Sequence, residues 1–219
     1  MIPKVIYMSY KNLHDLEKYS NNWKNLNPEY EIKLYDNDRC EEFLLTEYSQ
    51  THRDIFKHIS DGPIKADFWR VCILYKYGGV YVDADIEPLV PLNNYIQEDV
   101  DFVTCISANA GIDNWSPFNP QLIIANKGDS VLGACMDKYM DYFLNKKPYT
   151  YWSWSICKMF DVINLDKWND GFYEHEGRKY QFLKEKADYN PHDFHCVYKG
   201  LRVLNCRYKN YDYNAHTFT

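Results

Sequence analysis

KADFWRVCILYKYGGVYVDADIEPL, residues 65–89, decides the reading of this 219-residue chain. Pro63 stands just ahead of it, where a first helical residue belongs. The stretch then runs with helical periodicity as far as Gly78-Gly79. Ile64, Phe68, Val71, Cys72 and Tyr75 form one apolar stripe. Asp67, Arg70 and Leu74 share a different face at i, i+3, i+7 spacing. After the glycine pair, Val80-Tyr81-Val82 reads as an apolar strand that ends in Asp83-Ala84-Asp85. Two carboxylates at the mouth of a buried strand are expensive unless a cation neutralises them. A hard divalent ion with oxygen ligands is the natural occupant. In open α/β sheets, ligands lie outside the carboxyl ends of the strands. The stretch therefore predicts a metal that neutralises a phosphate-bearing ligand.

Upstream, Lys4 to Tyr10 reads as a buried strand, Leu13 to Leu26 as a helix stopped by Asn27-Pro28, and Tyr30 to Tyr35 as an alternating strand. Asp36-Asn37-Asp38 opens a helix to about Tyr48, and a short helix spans Arg53 to Ile59. Downstream, strands are expected at Phe102 to Ile106 and Leu122 to Ala125, and helices at Ser130 to Phe143 and Tyr151 to Ile163. The last third reads as loop-rich, with weak strands near Tyr180 and Val203. Alternating strands and helices followed by irregular structure predict an α/β sandwich whose first half binds a nucleotide.

The net charge of −6 argues against a nucleic-acid backbone as partner. The 21 Tyr, 11 Phe and 6 Trp are read first as core filler and second as platforms for sugar rings or bases. Seven scattered cysteines without a CxxC fit a reducing compartment rather than a disulfide scaffold or cysteine zinc site. No signal peptide and no apolar span of about 20 residues is present, so a soluble, cytoplasmic protein is expected, in a bacterial cell or a virus-infected host. The chain stops at Thr219 soon after a motif-like stretch, which fits a piece of something longer.

A lone DxD also occurs in surface turns, and a phosphatase of the haloacid dehalogenase type uses DxD after a strand. There the pair follows the first core strand. Here it lies over 80 residues in and precedes Ile86-Glu87-Pro88. On an isolated helix, Asp67 and Arg70 would be a surface ion pair of little value. Because this helix leads straight into the DxD strand, its polar face can reach the same pocket, with the aspartate accepting from sugar hydroxyls and the arginine engaging hydroxyls or phosphate. His192, Asp193, His195 and Cys196 read as a loop rather than a transition-metal site. Trp152 and Trp154 either wall an acceptor site or pack in the core.

Residues 65–89 resemble the DXD sugar-binding region of a nucleotide-sugar glycosyltransferase superfamily that includes outer-chain-initiating α-mannosyltransferases and large glucosylating toxins. Ile2-Pro3-Lys4-Val5-Ile6 resembles the start of that domain, and Asn27-Pro28-Glu29-Tyr30-Glu31 with Leu34-Tyr35-Asp36 resembles its second-strand region. The likeness is good over the first 130 residues or so and thin afterwards. It implies a GT-A type, Rossmann-like α/β/α sandwich with a mixed central sheet. Residues 1–219 would form one domain, with 1–130 binding the nucleotide sugar and 131–219 facing the acceptor.

The resemblance also implies Mn2+ or Mg2+, a UDP-sugar donor (a GDP-sugar next) and a glycan or glycoprotein acceptor. By position, Asp85 would coordinate the metal directly. Asp83 would contact the ribose or donor sugar and the metal, and Asp67 and Arg70 would hold sugar hydroxyls. Tyr10 matches a position usually held by a base-packing Trp, and Tyr7 replaces a common His. Asn119 and Gln121 precede a strand near the sugar, with Asn109, Asp113 and Asn114 as neighbouring alternatives. The family's late histidine, which completes the metal shell, corresponds to His216. Retention of anomeric configuration is expected. An inverting enzyme would need a base such as Asp113 or Asp161. The competing readings are a non-catalytic carbohydrate- or nucleotide-sugar-binding domain and a metal-dependent phosphatase.

Overall fold

A computed structural model describes residues 2–111, 116–163, 169–188, 193–207, 211–212 and 217–218. Strand β1 (Val5–Ser9) places Ile6 and Met8 on one face and Tyr7 on the other, the alternation of a strand buried between two layers. Helix α1 (Leu13–Leu26) is capped by Asn12, whose side chain accepts from the Asp15 amide at 3.0 Å. Strand β2 (Glu31–Tyr35) and helices α2 (Asn37–Glu47), α3 (Gln50–His58) and α4 (Gly62–Tyr77) follow. Then come β3 (Gly79–Val82), the short β4 (Glu87–Pro88), β5 (Phe102–Ile106), β6 (Leu122–Ala125) and helix α5 (Ser130–Leu144).

The helix expected over 151–163 is two short helices, α6 (Tyr151–Trp154) and α7 (Ile156–Met159), broken at Ser155. Ser155 is extended, and its hydroxyl accepts from the Cys157 amide, so it caps the second helix rather than continuing the first. The final third is not loop-rich. It supplies β7 (Gly171–His175), the ten-residue β8 (Arg178–Ala187), β9 (Phe194–Tyr198) and β10 (Leu201–Asn205). A separate two-stranded pair, β11 (Tyr211–Asp212) and β12 (Thr217–Phe218), lies beyond.

The main sheet runs β2-β1-β3-β6-β5-β8-β9-β10-β4, with β7 added beside β8. Strands β2, β1 and β3 are parallel, β6 is antiparallel to both its neighbours, and β5 and β8 are parallel. Tyr81, Ile123 and Phe182 face the helices α2 to α7, whereas Val80, Val82 and Leu183 face α1 and the 86–100 connection. Helix α4 packs against α2, α3, α5 and α7 as well as the sheet. It is therefore buried all round from Asp67 to Leu74, and the face bearing Asp67, Arg70 and Leu74 is interior rather than solvated. None of the described helices is long and apolar enough to cross a membrane.

Candidate active site

Strand directions bring five segments to one edge of the sheet. The carboxyl ends of β1, β3, β5 and β8 meet the amino end of β6 there, and the return through β9 and β10 adds Phe194, Cys206 and Arg207. A cavity of about 1010 Å³ opens along this edge and is lined by Tyr10, Asp83, Asp85, Ser107, Glu185 and Arg207 among others. Its other wall is the first half of α4 and the α6–α7 break. Convergence at the carboxyl ends of parallel strands is where such sheets bind ligands.

The turn that sets the site depends on two glycines. Gly78 has φ +69° and Gly79 φ +111°. A Cβ on Gly78 would sit 2.6 Å from the Lys127 amide nitrogen, and one on Gly79 would sit 2.8 Å from the Val5 carbonyl oxygen. Only glycine lets α4 end against the 125–127 loop and turn at once into β3.

Arg70 organises the acidic groups. Its Nη2 lies 3.0 Å from Asp67 and 2.6 Å from Asp83. Its Nη1 donates to the Pro120 carbonyl at 2.7 Å, and its guanidinium lies 4.4 Å from the centroid of the Tyr81 ring. Burial works against its charge, but Asp83, Tyr81 and Asp67 outweigh that and raise its pKa further. Tyr81 donates from its hydroxyl to Asp83 at 3.2 Å. Asp67 Oδ2 accepts from the Ile156 amide at 3.0 Å, tying the helix break to α4. Burial lifts Asp67 to about 6 against the pull of Arg70. Burial also raises Asp83, whose side chain keeps 28% of its exposure toward the cavity.

Asp85 is pushed up to about 7, by burial first and then by the neighbouring Asp83 charge. Arg70 and Arg207 offset this only in part, and among the described residues neither forms an ion pair with it. Asp83 and Asp85 therefore present hard oxygen donors to a divalent ion, which would draw its remaining ligands from phosphate and water, the usual habit of Mg2+. Among the described residues no cluster of three or more His, Cys, Asp or Glu is arranged to hold a metal alone. The donor set thus fits a cation shared with an anionic ligand.

The structure brings Asp67, Arg70, Asp83, Asp85, Tyr10, Asn119 and Gln121 to this one cavity. It does not bring Tyr7 there. That ring is buried against Tyr35 with centroids 6.5 Å apart, because it points to the helix-covered face of β1. His216, Asp113 and Asn114 lie outside the described residues, as does His192. His195 sits 2.9 Å from Asp188, and all seven cysteines are free. Asp161 is 63% exposed and paired with Lys138, away from the cavity. The two tryptophans divide: Trp154 is fully buried, whereas Trp152 is 60% exposed and lines the cavity.

Sequence reasoning missed Glu185 and Arg207. Glu185 is only 7% exposed, and it accepts from the Ala108 amide at 3.1 Å and from Asn119 Nδ2 at 2.9 Å. Arg207 pairs with Asp193 at 2.6 Å. Both lie 100 residues or more beyond the acidic pair, and no local pattern marks them.

A family profile described as "Glycosyltransferase sugar-binding region containing DXD motif" matches residues 14–101. Inositol phosphoceramide mannosyltransferase 3 of Schizosaccharomyces pombe is 35% identical over 102 residues, covering 43% of this chain and 28% of that protein. The initiation-specific alpha-1,6-mannosyltransferase of the same yeast is 25% identical over 128 residues, 53% of this chain and 32% of that one. An uncharacterised glycosyltransferase of Acanthamoeba polyphaga mimivirus is 31% identical over 91 residues, 39% and 36% of the two chains. The matches thus span about a third of these relatives' length. Among solved structures, the PaToxG glycosyltransferase superposes with a TM-score of 0.50 at 14% identity over 75% of this chain and 72% of that one. That likeness places the mixed sheet among GT-A-type folds.

Proposed function

We propose, on the match of residues 14–101 to the DXD-containing sugar-binding region of glycosyltransferases, that this chain transfers a sugar from a nucleoside-diphosphate donor to an acceptor hydroxyl, with Mn2+ or Mg2+ bound at Asp83 and Asp85. The observation that carries the reading is the acidic pair at the carboxyl edge of the sheet, with Asp83 ion-paired to buried Arg70 and Asp85 beside it, inside a cavity of about 1010 Å³. Bound there, the cation would neutralise the charge that develops on the departing diphosphate.

The chain's own groups supply position. Arg70 fixes Asp83 against Asp67, and the Tyr81 hydroxyl donates to the same Asp83 Oδ1 that Arg70 Nη2 engages. The Gln121 carbonyl accepts from the Asp83 amide at 3.0 Å, so the strand end cannot turn away. Tyr10 and Asn119 line the same cavity, and in this reading Tyr10 would pack on the base and Asn119 would face the sugar. Holding donor and acceptor in register is a large part of what such a site can contribute. A uridine donor is favoured, with guanosine next. The mannosyl-transferring relatives make a mannosyl donor worth testing beside a glucosyl one. Retention is proposed. In support, Asp161 stands away from the cavity, and Glu185 already accepts hydrogen bonds on both oxygens, which leaves it a poor free base. The division near residue 130 into donor and acceptor halves is one of roles within a shared cavity, since Glu185 and Arg207 line it beside the acidic pair.

The test is a thermal-shift series with UDP-glucose and GDP-mannose, with and without Mn2+, on wild type and Asp85→Ala. A donor at 100 times its Kd adds about 2.7 kcal/mol, which is roughly 5–10 °C for a chain of this size. A metal-dependent shift lost in the variant supports the reading. A folded wild type that responds to neither donor in the presence of Mn2+ defeats it. The anomer of the product, followed by NMR, decides retention.

A further inference from the structure

Glu185 is a buried carboxylate whose hydrogen-bond donors among the described residues are all neutral. Oε2 accepts from the Ala108 amide at 3.1 Å, and Oε1 accepts from Asn119 Nδ2 at 2.9 Å and from Gln121 Nε2 at 3.4 Å. Among the described residues no lysine, arginine or histidine forms an ion pair with it. Burying an unpaired carboxylate is costly, and a neutral residue would hold the strand end at lower cost. What a carboxylate does and a carboxamide does not is act as an acceptor only. It compels both neighbouring amides to turn their NH2 groups toward it.

For Gln121 the compulsion serves packing: its nitrogen also lies 3.2 Å and 3.1 Å from the sulfurs of Cys196 and Cys206. For Asn119 it serves the cavity. The Asn119 backbone is fixed by its amide bond to the Cys105 carbonyl at 3.0 Å, and its own carbonyl accepts from the Gln121 amide at 2.8 Å. The next carbonyl, Pro120, is held by Arg70. With the backbone fixed and Nδ2 tied to Glu185, Oδ1 is the atom left over. No donor among the described residues reaches it, and Asn119 lines the cavity. This end of the cavity therefore offers a fixed acceptor with a negative charge directly behind it. A hydroxyl has a proton to donate to such an acceptor, and an ionised phosphate oxygen has none.

We propose that Glu185 is a positioning residue that presents Asn119 Oδ1 to a hydroxyl of the transferred sugar, and that it sets the preference of the site for a sugar over a phosphate at that end. The proposal rests on the nucleoside-diphosphate-sugar reading above. It adds a residue that neither the DXD motif nor the family match, which ends at residue 101, assigns.

Calorimetric titration with Mn2+ present compares UDP with UDP-glucose and GDP with GDP-mannose on wild type, Glu185→Gln and Asn119→Ala. The quantity read is the ratio of the Kd of the bare diphosphate to that of its sugar. A Gln at 185 releases the Asn119 amide to flip, and an Ala at 119 removes the acceptor. Each variant should lower the ratio roughly five- to tenfold, the worth of about one hydrogen bond, while the Kd of the bare diphosphate stays within about twofold. An equal weakening of both ligands, or an unchanged ratio, overturns the proposal. Should Glu185→Gln lose the folded state, Asn119→Ala alone decides on the same ratio. A folded wild type that binds no nucleoside diphosphate with Mn2+ defeats the donor reading itself, an outcome distinct from a normal diphosphate affinity with an unchanged ratio.

Discussion

Arg70 carries more of the site than either aspartate of the motif. It is 4% exposed and faces Asp67, Asp83 and the Pro120 carbonyl at once, a fan that only a planar guanidinium can span. Arg70→Ala would leave two partly buried carboxylates without a counter-charge, and breaking such a pair typically costs about 3–5 kcal/mol. Urea denaturation should show that loss, and Arg70→Lys should recover less than half of it. Asp85 behaves differently because no ion pair to it forms among the described residues, and Arg70 and Arg207 offset its burial only in part. Its raised value, about 7, means that in the metal-free protein its stabilising contribution is fully present below about 3.8 and disappears as pH rises through about 7. Metal requires the deprotonated form, so the dependence of binding on pH has the opposite sign. Mn2+ should raise the Tm more at pH 8 than at pH 6, and its affinity should fall by up to about tenfold per unit below pH 7. A Tm increment from Mn2+ that is flat between pH 6 and 8 would show that Asp85 is not a ligand.

Among the elements, α4 and β3 were legible because their information is local. Helical period, a glycine pair and a three-residue apolar run sit side by side in 65–89, and the glycines have one physical reading. Gly79→Ala tests it: at φ +111° with the Val5 carbonyl 2.8 Å from the new Cβ, the loss should be about 1–3 kcal/mol. The same change should weaken Mn2+ binding, since β3 carries Asp83. Unaltered stability and metal affinity would mean that the turn does not set the site. Strand β8 was legible only as a weak strand near Tyr180, because its inward positions include Gln181 and Glu185 among apolar residues. Gln181 is tied to the Tyr95 carbonyl at 2.7 Å and the Gln97 amide at 2.9 Å, and Glu185 to residues 108 and 119. Buried polar residues satisfied by distant partners erase the period-two signal that marks a strand. The break at Ser155 escaped notice for the same reason: Asp67, far away in sequence, supplies the acceptor that starts α7. Local pattern likewise found the motif acids and missed Glu185 and Arg207.

For the whole molecule, strand order decides how the two parts of the chain depend on each other. Early and late strands are interleaved: β5 pairs with β8, and β4 (Glu87–Pro88) closes on β10, more than 100 residues away. The late strands also cover the core face that includes Val103 and Cys105, and Cys196 lies 3.7 Å from Cys105. A chain cut near residue 130 would leave β5 as an open, wholly buried-type edge and remove Glu185 and Arg207 from the cavity. The chain should therefore unfold in one transition. Tryptophan fluorescence, which reports Trp23 and Trp69 in the early part and Trp154 in the later one, should give the same midpoint as far-UV circular dichroism. Mn2+ with a tightly bound donor should move both midpoints together. Separate transitions, or a stable soluble fragment of residues 1–130 released by limited proteolysis, would show that the donor half stands alone and that the interleaved sheet contributes little to its stability.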